Sequence, residues 1–282
     1  MVYLAAVAAF TSGCAVSKKH VVPPGQMRPA LEATKDQLLI QYNQQARAIQ
    51  SLNASVNIVP TAGSTYSGVI EEYHDVNGFV LAKRPAFIRV IGQAPVVAKD
   101  VFDMVSDGEN FRIFIPSKHK FIVGSTAMAR PAKKPIENLR PQHLLDAFFW
   151  PEIPAGATVL FEEWDAAPDR DYILTLVHNE EIERKIWFDR ADLSISRIGI
   201  YAPGGRLVSD VRYDNWQPVE GAGGVRFARH IWLARPHDDY RLEIRITKLA
   251  VNESIPADRF QLAQPPGTEL VHVGAGAEES HP

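Results

Sequence analysis

Cysteine is almost absent from this 282-residue chain, which contains one, Cys14. A single thiol excludes an intramolecular disulfide framework, and it excludes a zinc site built on several thiolates. No run approaches the roughly 18 consecutive apolar residues that a spanning helix needs. The formal charge is only −3, and no basic stripe with interleaved aromatics stands out, so nothing points to nucleic acid. No G-x-S-x-G elbow, H-E-x-x-H, phosphate-cradling loop or G-x-G-x-x-G opening a helix is present. With apolar residues at 46% and charged residues at 22%, what remains is a chain able to bury a sizeable core.

The lone cysteine follows an apolar run of 9 residues, Val2 to Phe10, the size of a signal-peptide core. Only Met1 stands before that run, so the basic lead-in is missing and residues 1–13 read as a signal-peptide remnant. Ser12 and Gly13 are the small residues a lipoprotein signal peptidase reads before a cysteine, although Thr11 stands where leucine is commonest. Cys14 is therefore the expected lipid-attachment point, of palmitate type. Residues 14–30, rich in proline, read as a tether. Residues 274–282 read as a disordered tail.

Between them the pattern divides. Leu31 to Leu52 carries apolar residues mostly three and four apart, with Thr34 as N-cap and Gln37 completing a capping box, which predicts an amphipathic helix. From Ala54 onward the period becomes two, in short runs broken by turns, among them TAGS from Thr61. The clearest is the Asp-Gly hairpin between VFDMV and FRIFI. Pro141 and Pro151 bracket a second, strongly apolar helix. About a dozen strands joined by hairpin-length turns predict an α+β fold. It is a strongly curved antiparallel sheet, an incomplete barrel with helices on its concave side.

Nine histidines are scattered along the chain. His178 and His237 stand among acidic neighbours that read as turn residues. The carboxylate pairs Glu71/Glu72, Glu162/Glu163 and Glu180/Glu181 are sequence neighbours, which on strands face opposite sides and cannot act together. No enzyme, cofactor or metal is expected. The apolar candidates are Phe102 and Met104 on one set of alternate positions and Phe111, Ile113 and Ile115 on another. They read either as ordinary core or as the lining of a lipid cavity. Val96 and Val97 form an apolar loop that could touch a bilayer.

These features together resemble the LolA/LolB superfamily of bacterial lipoprotein carriers and receptors. The segment FDMVSDGENFRIFIP, Phe102 to Pro116, is similar to a family hairpin, and VNESIPADRFQLAQPPG, Val251 to Gly267, to its closing pattern. The resemblance covers residues 31–273. It implies a half-barrel that holds acyl chains of lipids or lipoproteins, at the periplasmic face of the outer membrane, with a periplasmic carrier protein as a further partner. The alternative reading is a non-enzymatic envelope scaffold whose sheet is filled by its own side chains.

Overall fold

The computed structural model describes residues 29–64, 69–72, 74–95, 99–127, 139–166 and 169–273. It opens with helix α1, Lys35–Ala48. The Thr34 hydroxyl accepts from the Gln37 amide while the Gln37 side chain accepts from the Thr34 amide, the capping box read from sequence. The helix is shorter than the apolar pattern suggested. Its C-cap Ile49 is extended, and Leu52 lies on the first strand.

Seven strands follow: β1 (Ser51–Ser64), β2 (Val69–Glu72), β3 (Val76–Lys83), β4 (Phe87–Gln93), β5 (Asp100–Ser106), β6 (Asn110–Ile115) and β7 (Lys120–Ser125). Helix α2, Pro141–Phe148, then begins on its proline, as expected. The second series runs β8 (Thr158–Ala166), β9 (Asp169–His178), β10 (Glu181–Asp189), β11 (Ile195–Ala202), β12 (Arg206–Pro218), β13 (Arg226–Arg235) and β14 (Tyr240–Val251). A short strand, β15 (Glu269–Val273), closes the chain.

All 15 strands form one curved sheet. Its order is β15-β7-β6-β5-β4-β3-β1-β14-β13-β12-β11-β10-β9-β8, with β2 attached to β1, so two antiparallel meanders meet at a β1–β14 seam. The expected dozen falls short of this, and β15 departs further from expectation by pairing parallel to β7, far from it in sequence. Thr61 to Ser64, read as a turn, instead continues β1: Gly63, with φ near 86°, donates to the Asp239 carbonyl, and β2 pairs there.

The Asp-Gly hairpin forms as read. Asp107 Oδ1 accepts from the Glu109 and Asn110 amides, and Gly108 takes φ near 99°. Glycine is required there for a second reason, because a Cβ would stand 2.4 Å from the Ala86 Cβ.

Side-chain alternation sorts the sheet into a dry and a wet face. Val80, Ala82, Ile88, Val90, Ile186, Phe188, Ile231, Leu233 and Ile244 share one core cluster with Leu38 and Tyr42 of α1 and Leu144, Leu145 and Phe148 of α2. Both helices thus occupy the concave face. The opposite face carries ion pairs such as Arg89–Asp103 at 2.7 Å and Arg197–Asp210 at 2.6 Å. The chain after β14 crosses part of that outer face, where Ile255 and Phe260 cover Leu81 and Phe87.

Candidate functional site

Strand register fixes where the five cavity candidates point. Across β4 and β5, Val90 faces Met104 and Gly92 faces Phe102. Across β5 and β6, Met104 faces Ile113 and Ser106 faces Phe111. Phe102, Met104, Phe111, Ile113 and Ile115 therefore form one set, all on the concave face, not two. Met104 and Phe111 are fully buried, whereas Phe102, Ile113 and Ile115 are partly buried. Ile122 of β7 lies opposite Ile113, and Val271 of β15 lies beside Ile122, so the apolar strip continues to the sheet edge. Both are also partly buried.

Two glycines make room for the rings on this strip. A Cβ on Gly92 would stand 2.4 Å from Phe102 Cε1, and one on Gly124 would stand 2.7 Å from both Phe111 Cζ and Val273 Cγ2. Each ring thus lies against bare backbone.

The rest of the concave face is sealed. α2 packs against β4, β5 and β13. Its N-cap, Arg140, sets its guanidinium 4.9 Å above the Phe111 ring. The Tyr213 hydroxyl donates to the Ala147 carbonyl at 3.0 Å, and Trp150 contacts Tyr42 and Tyr213. Arg84 fastens both helix ends, donating to the Ala46 and Ile49 carbonyls behind α1 and to the Trp150 carbonyl behind α2.

No family model matches the chain, and no curated protein matches it. Solved structures do. A DUF1329 family protein from Desulfovibrio piger superposes with a TM-score of 0.51 at 12% identity, over 79% of this chain and 94% of that one. An outer membrane lipoprotein-sorting protein domain from Vibrio parahaemolyticus gives 0.51 at 9% identity, with the same 79% and 94% coverage. A LolA superfamily protein from Nitrosomonas europaea gives 0.49 at 14% identity, over 82% and 99%. The chain shares its fold with the first two of these.

The concave face also holds buried polar groups that sequence reading passed over. Arg184 is 6% exposed and donates to the Tyr42 hydroxyl at 2.8 Å and the Pro151 carbonyl at 3.1 Å. Burial pushes the Tyr42 hydroxyl up to about 12, against the pull of Arg184, so it stays protonated and donates to Pro151. On α2, burial pushes the Asp146 carboxyl up to about 6, although Arg235, Arg184 and Gln142 oppose this. Burial, with Arg235 and Arg140, holds His143 well below its usual value, so its neutral Nδ1 accepts from the Tyr240 hydroxyl at 2.5 Å. Arg190, 3% exposed, pairs with Glu163 and with Glu32 at 3.2 Å and covers the Tyr172 ring. One signal for Arg184 was available: it shares the inward parity of Ile186 and Phe188.

Cys14, Val96 and Val97 lie outside the described residues. His178 ends β9 beside the positive-φ turn residues Asn179 and Glu180, and His237 sits in the β13–β14 turn. Glu162 and Glu163 are divided between faces as alternation requires, Glu162 accepting from Thr175 and Glu163 from Arg190. Among the described residues no three His, Cys, Asp or Glu side chains converge on a metal-sized site.

Proposed function

We propose that this is a lipid-anchored envelope protein that binds acyl chains of lipids or lipoproteins at the β5–β7 wing of its concave face. Cys14 carries the anchor at the periplasmic face of the outer membrane, and the Val96–Val97 loop touches the bilayer. A periplasmic carrier is the donor or acceptor. No bond is made or broken; cargo moves by differences in affinity. One observation supports this above the others. Phe102, Ile113, Ile115, Ile122 and Val271 form a continuous inward apolar strip that α1 and α2 leave partly uncovered. Each methylene buried there contributes about 0.8 kcal/mol, so one acyl chain suffices for useful affinity.

The test is binding of a fluorescent fatty acid and of a triacylated peptide to the delipidated chain. Ile113→Asp and Phe102→Asp should each weaken binding at least about tenfold, since each places a charge against the acyl chain. Failure of the unaltered chain to bind either probe sinks the proposal.

A second reading, an envelope scaffold working through protein partners, draws on the sealed centre of the sheet, where Tyr42, Leu144 and Phe148 are fully buried. Absence of acyl binding by the unaltered, stably folded chain would favour it.

A further inference from the structure

The outer face carries a second recess, unrelated to the apolar wing. A groove of ≈ 1090 Å³ opens over β12, β13, β14 and the end of β1. That volume is at the upper end of small-ligand sites and holds several sugar units, not one. Its plan follows from register. Ala234 lies between Asp210 on β12 and Arg241 on β14, and Trp232 lies between Arg212 and Glu243. These side chains share the parity opposite to the buried Val211, Leu233 and Leu242, so they stand outward. The small Ala234 forms a floor, Trp232 one end wall, and the turn at Pro236 and His237 the other.

The chemistry of the walls is unevenly satisfied. Asp210 is held by Arg197 through two hydrogen bonds at 2.6 and 3.0 Å, and Arg235 is paired with Asp238 at 2.8 Å. Glu243 is taken by His230 and Arg245. Arg212 and Arg241, by contrast, have no ion-pair partner among the described residues; Arg212 lies beside Trp232 on β12, and Arg241 lies diagonally from it on β14, beside Ala234. Asp239 Oδ1 is buried yet accepts no hydrogen bond. Trp232 is 37% exposed, with the His230 ring 3.7 Å from its own, which leaves the other face for a ligand.

Two free guanidiniums call for an anion, an orphan carboxylate oxygen calls for a hydroxyl donor, and an exposed indole calls for a flat apolar ring face. An acidic sugar offers all three on one molecule. A peptide added as a strand is disfavoured, because around the groove the stretches of β12, β13 and β14 are paired on both sides and present no free backbone edge there. We infer that this groove binds an anionic saccharide. A ring packs on Trp232, its carboxylate or phosphate is held by Arg212 and Arg241, and a hydroxyl donates to Asp239.

Calorimetric titration of the chain with an oligogalacturonate, with glucose 6-phosphate and with maltotetraose tests this. At least one acidic sugar should bind, with neutral maltotetraose at least about tenfold weaker. Arg212→Ala and Arg241→Ala should each weaken the acidic sugar about tenfold, as expected for loss of a charge-assisted hydrogen bond. Arg212→Lys should recover only part of that loss. Trp232→Ala should weaken it as well, and raised salt should weaken it further. Both arginines are exposed, so thermal melting should stay unchanged in these variants. Phe102→Asp should leave saccharide binding intact, which separates this site from the acyl wing. Absence of binding by both acidic sugars, equal binding of maltotetraose, or indifference to both arginine substitutions would overturn the inference.

Discussion

Asp146 makes α2 a pH-sensitive part of the core, and the effect can be sized. Its carboxyl is raised from 3.8 to about 6, chiefly by burial. The folded chain therefore holds a proton that the unfolded chain has released between those values. That contribution is fully present below pH 3.8 and is lost as pH rises towards 6. At about 1.4 kcal/mol per pKa unit, keeping the charged carboxylate beneath the sheet costs about 2–3 kcal/mol above pH 6. Asp146→Asn removes the charge at nearly constant shape. Urea denaturation at intervals between pH 4 and 8 should then show the variant equal to the parent near pH 4. It should become more stable by about 2 kcal/mol at pH 7.5, with an unchanged denaturant slope.

His143 imposes the opposite trend. Its folded value is depressed, so its contribution is present above the unfolded value of 6.5 and is lost as pH falls below it. It is common to both chains and cancels in the difference. A difference that is flat with pH, or an Asn variant that is weaker at pH 7.5, would show that Arg235 and Arg184 fully compensate the carboxylate and refute the reasoning.

Arg84→Met should destabilise the fold by about 2–4 kcal/mol in urea unfolding, because three carbonyls at the ends of both helices lose their donor. Gly92→Val should cost about 2–3 kcal/mol through collision with the Phe102 ring, and pairing it with Phe102→Ala should recover part of the loss by the same assay. Thr34→Ala should cost about 1 kcal/mol of thermal stability through the lost N-cap. Intact-mass measurement of the natively expressed protein should find diacylglyceryl-modified cysteine at its N-terminus; an unmodified Cys14 behind a retained Met1 would remove the anchor from the proposed function.

The elements that local chemistry dictates were legible in the sequence. The Thr34–Gln37 capping box placed the start of α1, and Asp107-Gly108 placed the β5–β6 hairpin. The alternation of Phe102, Met104, Phe111, Ile113 and Ile115 identified an inward face. The second helix was legible as strongly apolar between Pro141 and Pro151, and in the structure its Leu144, Leu145, Ala147 and Phe148 are buried. What escaped depends on register and distance. β5 and β6 could be merged into one inward set only once Met104 was known to face Ile113. Bulges at Ser55/Val56 and Ile200/Tyr201 shift the parity that a strict period of two assumes. Arg184 and Arg190 went unremarked, since arginine is almost never fully buried unless paired, and two of their partners, Tyr42 and Glu32, lie more than a hundred positions away. The groove around Trp232 gathers residues from β1, β12, β13 and β14, so no local window contains it.

The seam between β1 and β14 also sets the tempo of folding. Each meander on either side of it joins neighbours in sequence, so those pairings close short loops and form early. The seam instead joins Leu52 to Val251 and Ala62 to Tyr240, the longest separations of any antiparallel pair in the sheet. Until β14 has been made, β1 keeps one bare edge, and the capping strand β15 arrives later still. Contact order therefore predicts that zipping the seam is the slow, aggregation-exposed step, since it must wait until β14 is available.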